Sequence, residues 1–136
     1  MNNQTINHIS IIGGAGHVGL PLGLAFASKN FKIHLIDKNK KALKNIKQNK
    51  MPFLEIGAKK LLRKANKKKL FFYENDLSNI SKSKYIIICI GTPIDKKLKP
   101  DLISFYGLIK KLKNRINKKQ ILIIRSSVLP GTNQKI

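Results

Sequence analysis

The sequence predicts a doubly wound α/β fold, in which helices cover both faces of a parallel sheet of about five strands. Short apolar runs alternate with segments of helical periodicity throughout the 136 residues. The first apolar run ends at a cluster of glycines that opens a helix. No internal repeat interrupts the pattern, and a hydrophobic content of 42% is enough for the core of one domain.

The first strand, helix and second strand are predicted from a contrast between continuous and periodic apolar positions. Residues 8–13 form an apolar run, as expected of a parallel strand covered on both faces. A helix is predicted over about 17–29, with Pro21 near its first turn, where a missing N–H costs little. Residues 32–36 form the second strand, which ends at Asp37.

Two helices separated by a loop are predicted next. Asn39 or the nearby Asp37 can cap a helix that runs to about Asn49. A loop over residues 51–57 then leads to a helix over about 58–66, whose apolar residues recur at helical spacing.

Three further strands and one helix complete the predicted sheet. Residues 70–73 form a short strand, and residues 85–90 form the most apolar strand, which we expect at the centre of the sheet. Asp101 caps a helix with a 3-4-3-4 apolar spacing, and residues 120–124 form a fifth strand. We therefore expect a Rossmann-type sheet truncated after about five strands, with residues 1–136 forming the N-terminal part of a larger protein.

The formal charge of +22 is carried mostly by lysine, since Arg63, Arg115 and Arg125 are the only arginines. A basic surface attracts polyanions, so a module that binds nucleic acid is an open alternative. However, the lysines are scattered among many Asn and Ile residues, and these three residue types share A/T-rich codons. Neither the arginine forks of base readout nor interleaved aromatic residues appear, so no specific nucleic-acid partner is expected.

Membrane, disulfide and metal classes are disfavoured by composition. No apolar run approaches the roughly 18 residues of a membrane-spanning helix, and the N-terminus lacks the layout of a secretory signal. We therefore expect no membrane partner and a cytoplasmic location. Cys89 is the single cysteine, which excludes an internal disulfide and disfavours a metal site.

A glycine motif predicts the binding site. Gly14, Gly16 and Gly19 fit the pattern G-x-G-x-x-G, directly after a strand and at the start of a helix. We expect Gly14 to permit the tight turn, Gly16 to let the backbone approach a pyrophosphate, and Gly19 to pack the helix closely. His17 and Val18, in the same turn, are also predicted to bind the cofactor, since N–H groups at a helix start face phosphate. A turn without a ligand is the alternative.

Asp37 predicts which dinucleotide is bound. It lies about 20 residues after the first glycine of the motif, where a carboxylate accepts hydrogen bonds from the adenosine ribose. The same charge repels a 2′-phosphate, so NAD is favoured over NADP, although Lys38 next to it softens the discrimination. The alternative is that Asp37 only caps a helix.

Gly91, Thr92 and Pro93 form a second predicted part of the cofactor site. The first and fourth strands are neighbours in a doubly wound sheet, so this turn should face the glycine turn across the ligand crevice. Thr92 can donate a hydrogen bond to the cofactor, and Pro93 keeps Thr92 out of the helical region. A plain strand-ending turn is the alternative.

Four ordered motifs resemble one known family over essentially the whole chain. They are GAGHVGLPL at 14–22, MPFLEIG at 51–57, GTP at 91–93 followed by PD at 100–101, and RSSVLPGT at 125–132. Together they resemble the NAD-binding domain of the UDP-glucose/GDP-mannose dehydrogenase family. A different NAD-dependent dehydrogenase, of the hydroxyacid or 6-phosphogluconate type, is an alternative that the third and fourth motifs argue against.

This resemblance implies a reaction, and it implies that the cofactor and the catalytic residues are held by different parts of the enzyme. Family members oxidise the C6 alcohol of a nucleotide sugar, such as UDP-glucose or a UDP-N-acetylhexosamine, to a carboxylate with two NAD. Their catalytic Cys and Lys and their UDP-binding domain lie beyond the matched region, so the chain should bind NAD without turnover. A nucleotide-sugar partner and a homodimer are expected only for the full-length enzyme.

Three positions are interpreted through the same resemblance. Ser127 stands where the family usually has a Thr that helps to orient a catalytic water or the substrate, so it is the candidate catalytic residue. His17 stands where Tyr is more usual beside the pyrophosphate, and a solvent-facing residue at the start of the helix is the alternative to a phosphate contact. Cys89 does not match the family's nucleophile, and its place in an apolar strand predicts a core residue.

Overall fold

The computed structural model describes residues 7–96 and 99–136, which form five strands and four α-helices. Short 3₁₀ turns lie at Ile80–Lys82 and Asn133–Lys135. In chain order the elements are β1 His8–Ile12, α1 Gly19–Ser28, β2 Lys32–Ile36, α2 Lys40–Lys47, α3 Ala58–Lys67, β3 Phe71–Glu74, β4 Tyr85–Ile88, α4 Ile103–Lys113 and β5 Ile121–Ile124.

The strands form one parallel sheet in the order β3-β2-β1-β4-β5. The predicted fold class is confirmed, as is the pairing of the first and fourth strands. The chain changes direction across the sheet between β1 and β4, and ligands of doubly wound folds bind at such a switch point. The prediction that β4 is the central strand is wrong, because β1 holds that place. The apolar content of a strand does not give its place in this sheet, since the edge strand β5 is as apolar as β4.

Two apolar clusters cover the two faces of the sheet. On one face α1, α2 and α3 pack over buried side chains that include Ile11, Ile33 and Leu35. On the other face α4 contributes Phe105 and Leu112, which pack with isoleucines of β1, β2 and β4: Ile12, Ile36, Ile86 and Ile88. Successive residues of a strand point to opposite faces of the sheet, so β1, β2 and β4 contribute side chains to both clusters. Helices can therefore cover both faces of the same strand.

Most predicted element boundaries differ from the observed ones by one or two residues. α1 begins at Gly19, because His17 and Val18 belong to the turn before it. β4 ends at Ile88, although the Cys89 amide still donates to the Ile12 carbonyl at 2.7 Å. The cap of α2 is Asn39, whose side chain accepts from the third amide that follows it at 3.0 Å, which decides between the two predicted caps.

A polar cluster lies on the α4 face of the sheet. The His34 side chain is buried, and its Nδ1 lies 2.6 Å from a carboxylate oxygen of Glu74. Its Nε2 lies 2.9 Å from Nδ1 of His8. Burial lowers the pKa of His8, and electrostatic interactions with His34, Lys32 and Lys82 lower it further.

The described residues contain neither a membrane-spanning helix nor a cluster of metal ligands. No helix in this part of the chain is long and apolar enough to cross a bilayer. No group of three or more His, Cys, Asp or Glu side chains within it is placed to hold a metal ion.

Candidate dinucleotide-binding site

The turn between β1 and α1 is held against the end of β2. The amides of Gly13 and Gly14 both donate to the Ile36 carbonyl, at 2.9 Å and 3.1 Å, and the Gly16 amide donates to the Gly13 carbonyl at 3.2 Å. Gly13 has a φ of 83°, in the left-handed region that favours glycine. The left-handed residue of this turn is therefore Gly13, which precedes the predicted Gly14.

The three motif glycines are needed for different reasons. A Cβ on Gly14 would lie 2.9 Å from both the Ile11 carbonyl oxygen and the Leu35 Cα, so this glycine lets the turn pack against two strands. A Cβ on Gly19 would overlap the backbone of the preceding turn, which supports its predicted role in close packing. A Cβ on Gly16 would meet a single atom within 4 Å, at 3.4 Å. The protein's own packing therefore does not require glycine at position 16.

Three consecutive amides at the start of α1 are free to bind a ligand. Among the described residues, the N–H groups of His17, Val18 and Gly19 donate to no protein acceptor. The next amide, that of Leu20, donates to the Gly16 carbonyl at 3.1 Å and so begins the helical pattern. Unpaired amides and the positive end of the helix dipole together favour an anion at this point.

Asp37 is hydrogen-bonded to the same glycine turn. Its Oδ2 accepts from the Ala15 amide at 3.0 Å, and its Oδ1 accepts from the Asn39 amide at 2.9 Å. The carboxylate therefore faces the glycine turn and is not confined to a capping role. A carboxylate offers about four acceptor positions, so roughly two stay available for ribose hydroxyls. Lys38 is exposed beside it.

The Gly91-Thr92-Pro93 turn is tied to the segment after β5. The Thr92 hydroxyl donates to the Ser127 carbonyl at 2.8 Å, so while this bond holds, the hydroxyl can only accept from a ligand. Donation by Thr92 to a cofactor stays a prediction that requires the hydroxyl to rotate. Gly91 and Pro93 are exposed, and a Cβ on Gly91 would meet nothing within 4 Å.

The two serines after β5 have different environments. The Ser126 hydroxyl donates to the Ile90 carbonyl at 2.7 Å and its amide donates to the Ile88 carbonyl at 3.0 Å, so Ser126 holds the end of β4. The Ser127 side chain is exposed, and its hydroxyl has no partner within the described parts of the chain. Ser127 is therefore the hydroxyl that a substrate or water could reach.

Cys89 is part of the core, as predicted. It is half-buried against the cluster under α1, and burial raises the pKa of its thiol. The Arg125 charge acts in the opposite direction on that pKa but is the smaller influence. A thiol with a raised pKa has little of the thiolate that nucleophilic chemistry needs.

His17 occupies the turn as predicted but makes a contact that the sequence pattern did not indicate. Its exposed imidazole stacks on the ring of Phe53, with ring centroids 4.1 Å apart and an interplanar angle of 22°. Phe53 belongs to the 51–57 loop that precedes α3. The motif at 51–57 contained the aromatic residue, but only the packing of α3 beside α1 shows that it reaches the glycine turn.

The fold and the site together define a dinucleotide-binding Rossmann domain. The model of the UDP-glucose/GDP-mannose dehydrogenase family, NAD binding domain, matches residues 7–136. The chain therefore belongs to this family and is its NAD-binding domain. This membership confirms the resemblance and disfavours both the hydroxyacid or 6-phosphogluconate dehydrogenase and the polyanion-binding alternatives.

Named relatives and solved structures agree with this assignment. The chain is 33% identical over 124 residues to a putative UDP-glucose 6-dehydrogenase of Bacillus subtilis, covering 90% of this chain and 28% of that protein. It is 29% identical over 122 residues to a UDP-N-acetyl-D-glucosamine 6-dehydrogenase of Pseudomonas aeruginosa, with the same 90% and 28% coverage.

Among solved structures, a ternary complex of GDP-mannose dehydrogenase from Pseudomonas aeruginosa superposes with a TM-score of 0.86 at 27% identity. That match covers 93% of this chain and 30% of the other. The chain thus spans less than a third of the length of these relatives.

Proposed function

We propose that this chain supplies the cofactor half of a nucleotide-sugar 6-dehydrogenase. The complete enzyme would oxidise the C6 alcohol of UDP-glucose or of a UDP-N-acetylhexosamine to a carboxylate. The observation that carries the proposal is the Asp37 carboxylate hydrogen-bonded to the glycine turn beside three free amides. An acceptor suited to ribose hydroxyls on the same turn as donors suited to a diphosphate supports the proposal, because NAD needs both.

The described residues suggest how NAD would lie across the carboxyl edge of the sheet. The free amides of His17, Val18 and Gly19 would hold the diphosphate, and Asp37 would hold the adenosine ribose. From there NAD would extend towards Thr92, which follows β4, and towards Ser127, whose carbonyl accepts from the Thr92 hydroxyl. When bound there, NAD supplies the hydride acceptor that oxidation of an alcohol needs.

The exposed Ser127 hydroxyl is proposed as this chain's contribution to the chemistry. Its backbone carbonyl is fixed by Thr92, and its neighbour Ser126 is fixed by Ile90, so the side chain is presented from a supported segment. A supported hydroxyl of this kind can orient a substrate oxygen or a water molecule by hydrogen bonding. We propose that the thiol nucleophile and the catalytic lysine of the complete enzyme lie outside residues 1–136.

The setting of the complete enzyme is part of the same proposal. The complete enzyme would bind a nucleotide sugar and would produce a uronate for polysaccharide synthesis. It would act in the cytoplasm as a homodimer. The isolated chain is expected to bind NAD but to catalyse no turnover, because the nucleophile would come from elsewhere.

Isothermal titration calorimetry of the purified chain with NAD and NADP tests the proposal. The expected result is one NAD per chain and weaker binding of NADP, since Asp37 would repel a 2′-phosphate. Circular dichroism on the same sample establishes that it is folded. The absence of binding heat with either dinucleotide, from a folded sample, would contradict the proposal.

A further inference from the structure

An aromatic contact joins the glycine turn to a loop outside the motif. His17 and Phe53 are far apart in the sequence, so their stacked rings form a tertiary contact. Offset or stacked aromatic pairs add attraction beyond the area that they bury. The contact therefore gives the 51–57 loop a means of acting on the turn that carries the free amides.

The helix arrangement explains why the two residues meet. α1 follows β1, and α3 leads into β3, which is parallel to β1, so both helices begin at the carboxyl edge of the sheet. They also pack against each other on the same face. Gly57, with a φ of 78°, turns the loop into α3. The start of α3 is thereby held beside the start of α1.

Phe53 connects the turn to the core. Leu54 and Ile56 in the same loop are 96% and 97% exposed, whereas Met51 and Phe53 are half-buried and pack on the cluster under α1. Phe53 therefore contacts the core and also carries the His17 ring. An exposed histidine in a turn would otherwise sample several rotamers, which binding would have to restrict.

We propose that Phe53 is a positioning residue of the NAD site, which acts through His17 by ordering the diphosphate turn before the cofactor binds. This inference rests on the proposed function, since it concerns the same site. Phe53 itself lies outside the turn and need not touch the cofactor. The stack reduces the ordering cost of binding, which is the general basis of preorganised affinity.

The expected size of the effect follows from the contact. Loss of one aromatic stack should weaken diphosphate binding by about two- to tenfold. Adenosine, which reaches Asp37 but lacks the phosphates, should not respond to the stack. The test therefore compares ADP with adenosine, using calorimetry for ADP and NMR titration for adenosine.

The variants separate positioning from simple loss of packing. Phe53→Leu keeps an apolar side chain on the core and removes the ring, His17→Ala removes the partner, and the double variant tests their coupling. We expect each single variant to weaken ADP binding, the double variant to bind ADP no more weakly than His17→Ala, and adenosine to bind all three alike. Leu54→Ala, in the same loop but 96% exposed, is the matched control and should bind ADP as the unaltered chain does.

Two further variants keep the test decisive. Unlike His17→Ala, His17→Tyr keeps an aromatic ring at the turn. In the His17→Tyr variant the affinity for ADP should therefore still depend on Phe53. Should Phe53→Leu lower the melting temperature markedly, Phe53→Met, which fills more of the same space, replaces it. Additive losses in the double variant, or equal ADP affinity of Phe53→Leu and the unaltered chain, would overturn the inference while leaving the proposed function intact. If the unaltered chain bound neither ADP nor NAD, both would fail.

Discussion

Replacing Gly16 by alanine is expected to abolish most NAD binding without harming the fold. A Cβ there would meet one protein atom, the Gly13 carbonyl oxygen at 3.4 Å, and its φ lies outside the left-handed region. Such a replacement usually stabilises a protein by about 0.4–1 kcal/mol, because it restricts the unfolded chain. The melting temperature should therefore stay the same or rise by about 1–4 °C. The affinity for NAD should fall more than about tenfold, because the methyl group keeps the diphosphate from the backbone.

Gly19→Ala, unlike Gly16→Ala, should lower the stability of the fold. Its Cβ would overlap the Gly13 carbonyl oxygen and lie 2.9 Å from both the Gly13 carbonyl carbon and the Gly14 Cα. These are backbone atoms, so no side-chain rotation relieves the conflict. Overpacking of this kind costs about 1–3 kcal/mol, which corresponds to a melting temperature lower by about 3–12 °C.

Thermal denaturation followed by circular dichroism, together with calorimetry of NAD binding, measures both effects. Gly107→Ala is the matched control, since it makes the same change within α4 where a Cβ would meet nothing within 4 Å. It should stabilise the helix by about 0.5–1 kcal/mol and leave NAD affinity unchanged. Normal NAD binding by Gly16→Ala would refute the approach of the diphosphate to this backbone. Unchanged stability of Gly19→Ala would refute the packing argument.

Three other predictions follow from single contacts. Asp37→Asn should lower the preference for NAD over NADP in calorimetric titrations, and an unchanged preference would remove Asp37 from cofactor discrimination. Ser126→Ala should lose about 1 kcal/mol of unfolding free energy because one hydrogen bond is lost. Ser127→Ala should have the melting temperature of the unaltered chain. Equal melting temperatures of the two variants would contradict the supporting role of Ser126. The pKa of His8 lies below its usual value, so the unfolded chain binds more protons and stability should fall as the pH drops below about 6.5. His8→Gln should reduce this fall, and an identical pH profile would show that His8 does not contribute.

The topology was predictable because each strand and each helix has a recognisable pattern in its own stretch of sequence. Parallel strands covered on both faces are mostly apolar along their length, whereas helices covered on one face are periodic, so the two kinds of segment differ in the sequence. The glycine motif and Asp37 were predictable for a related reason: their spacing follows from the geometry of one strand-turn-helix-strand unit. Asp37 indeed contacts the turn that the spacing assigns to it.

The remaining site residues depend on contacts between segments far apart in the chain. Gly13 is required by its left-handed φ and by the nearby Cys89 carbonyl, and neither is visible from the spacing of the motif. Ser126 and Ser127 are chemically identical neighbours, and only the position of β4 shows which hydroxyl is used for support. Phe53 is one aromatic residue in a loop until the packing of α3 beside α1 brings it to His17.

The central claim is that three free amides at the start of α1 bind the cofactor diphosphate beside Asp37. An NMR titration of the ¹⁵N-labelled chain with NAD observes these amides individually. The account predicts that the signals of His17, Val18 and Gly19 shift most, in a saturable way, together with that of Ala15, which donates to Asp37. Saturable binding that left these four signals in place and moved amides elsewhere on the chain would contradict it.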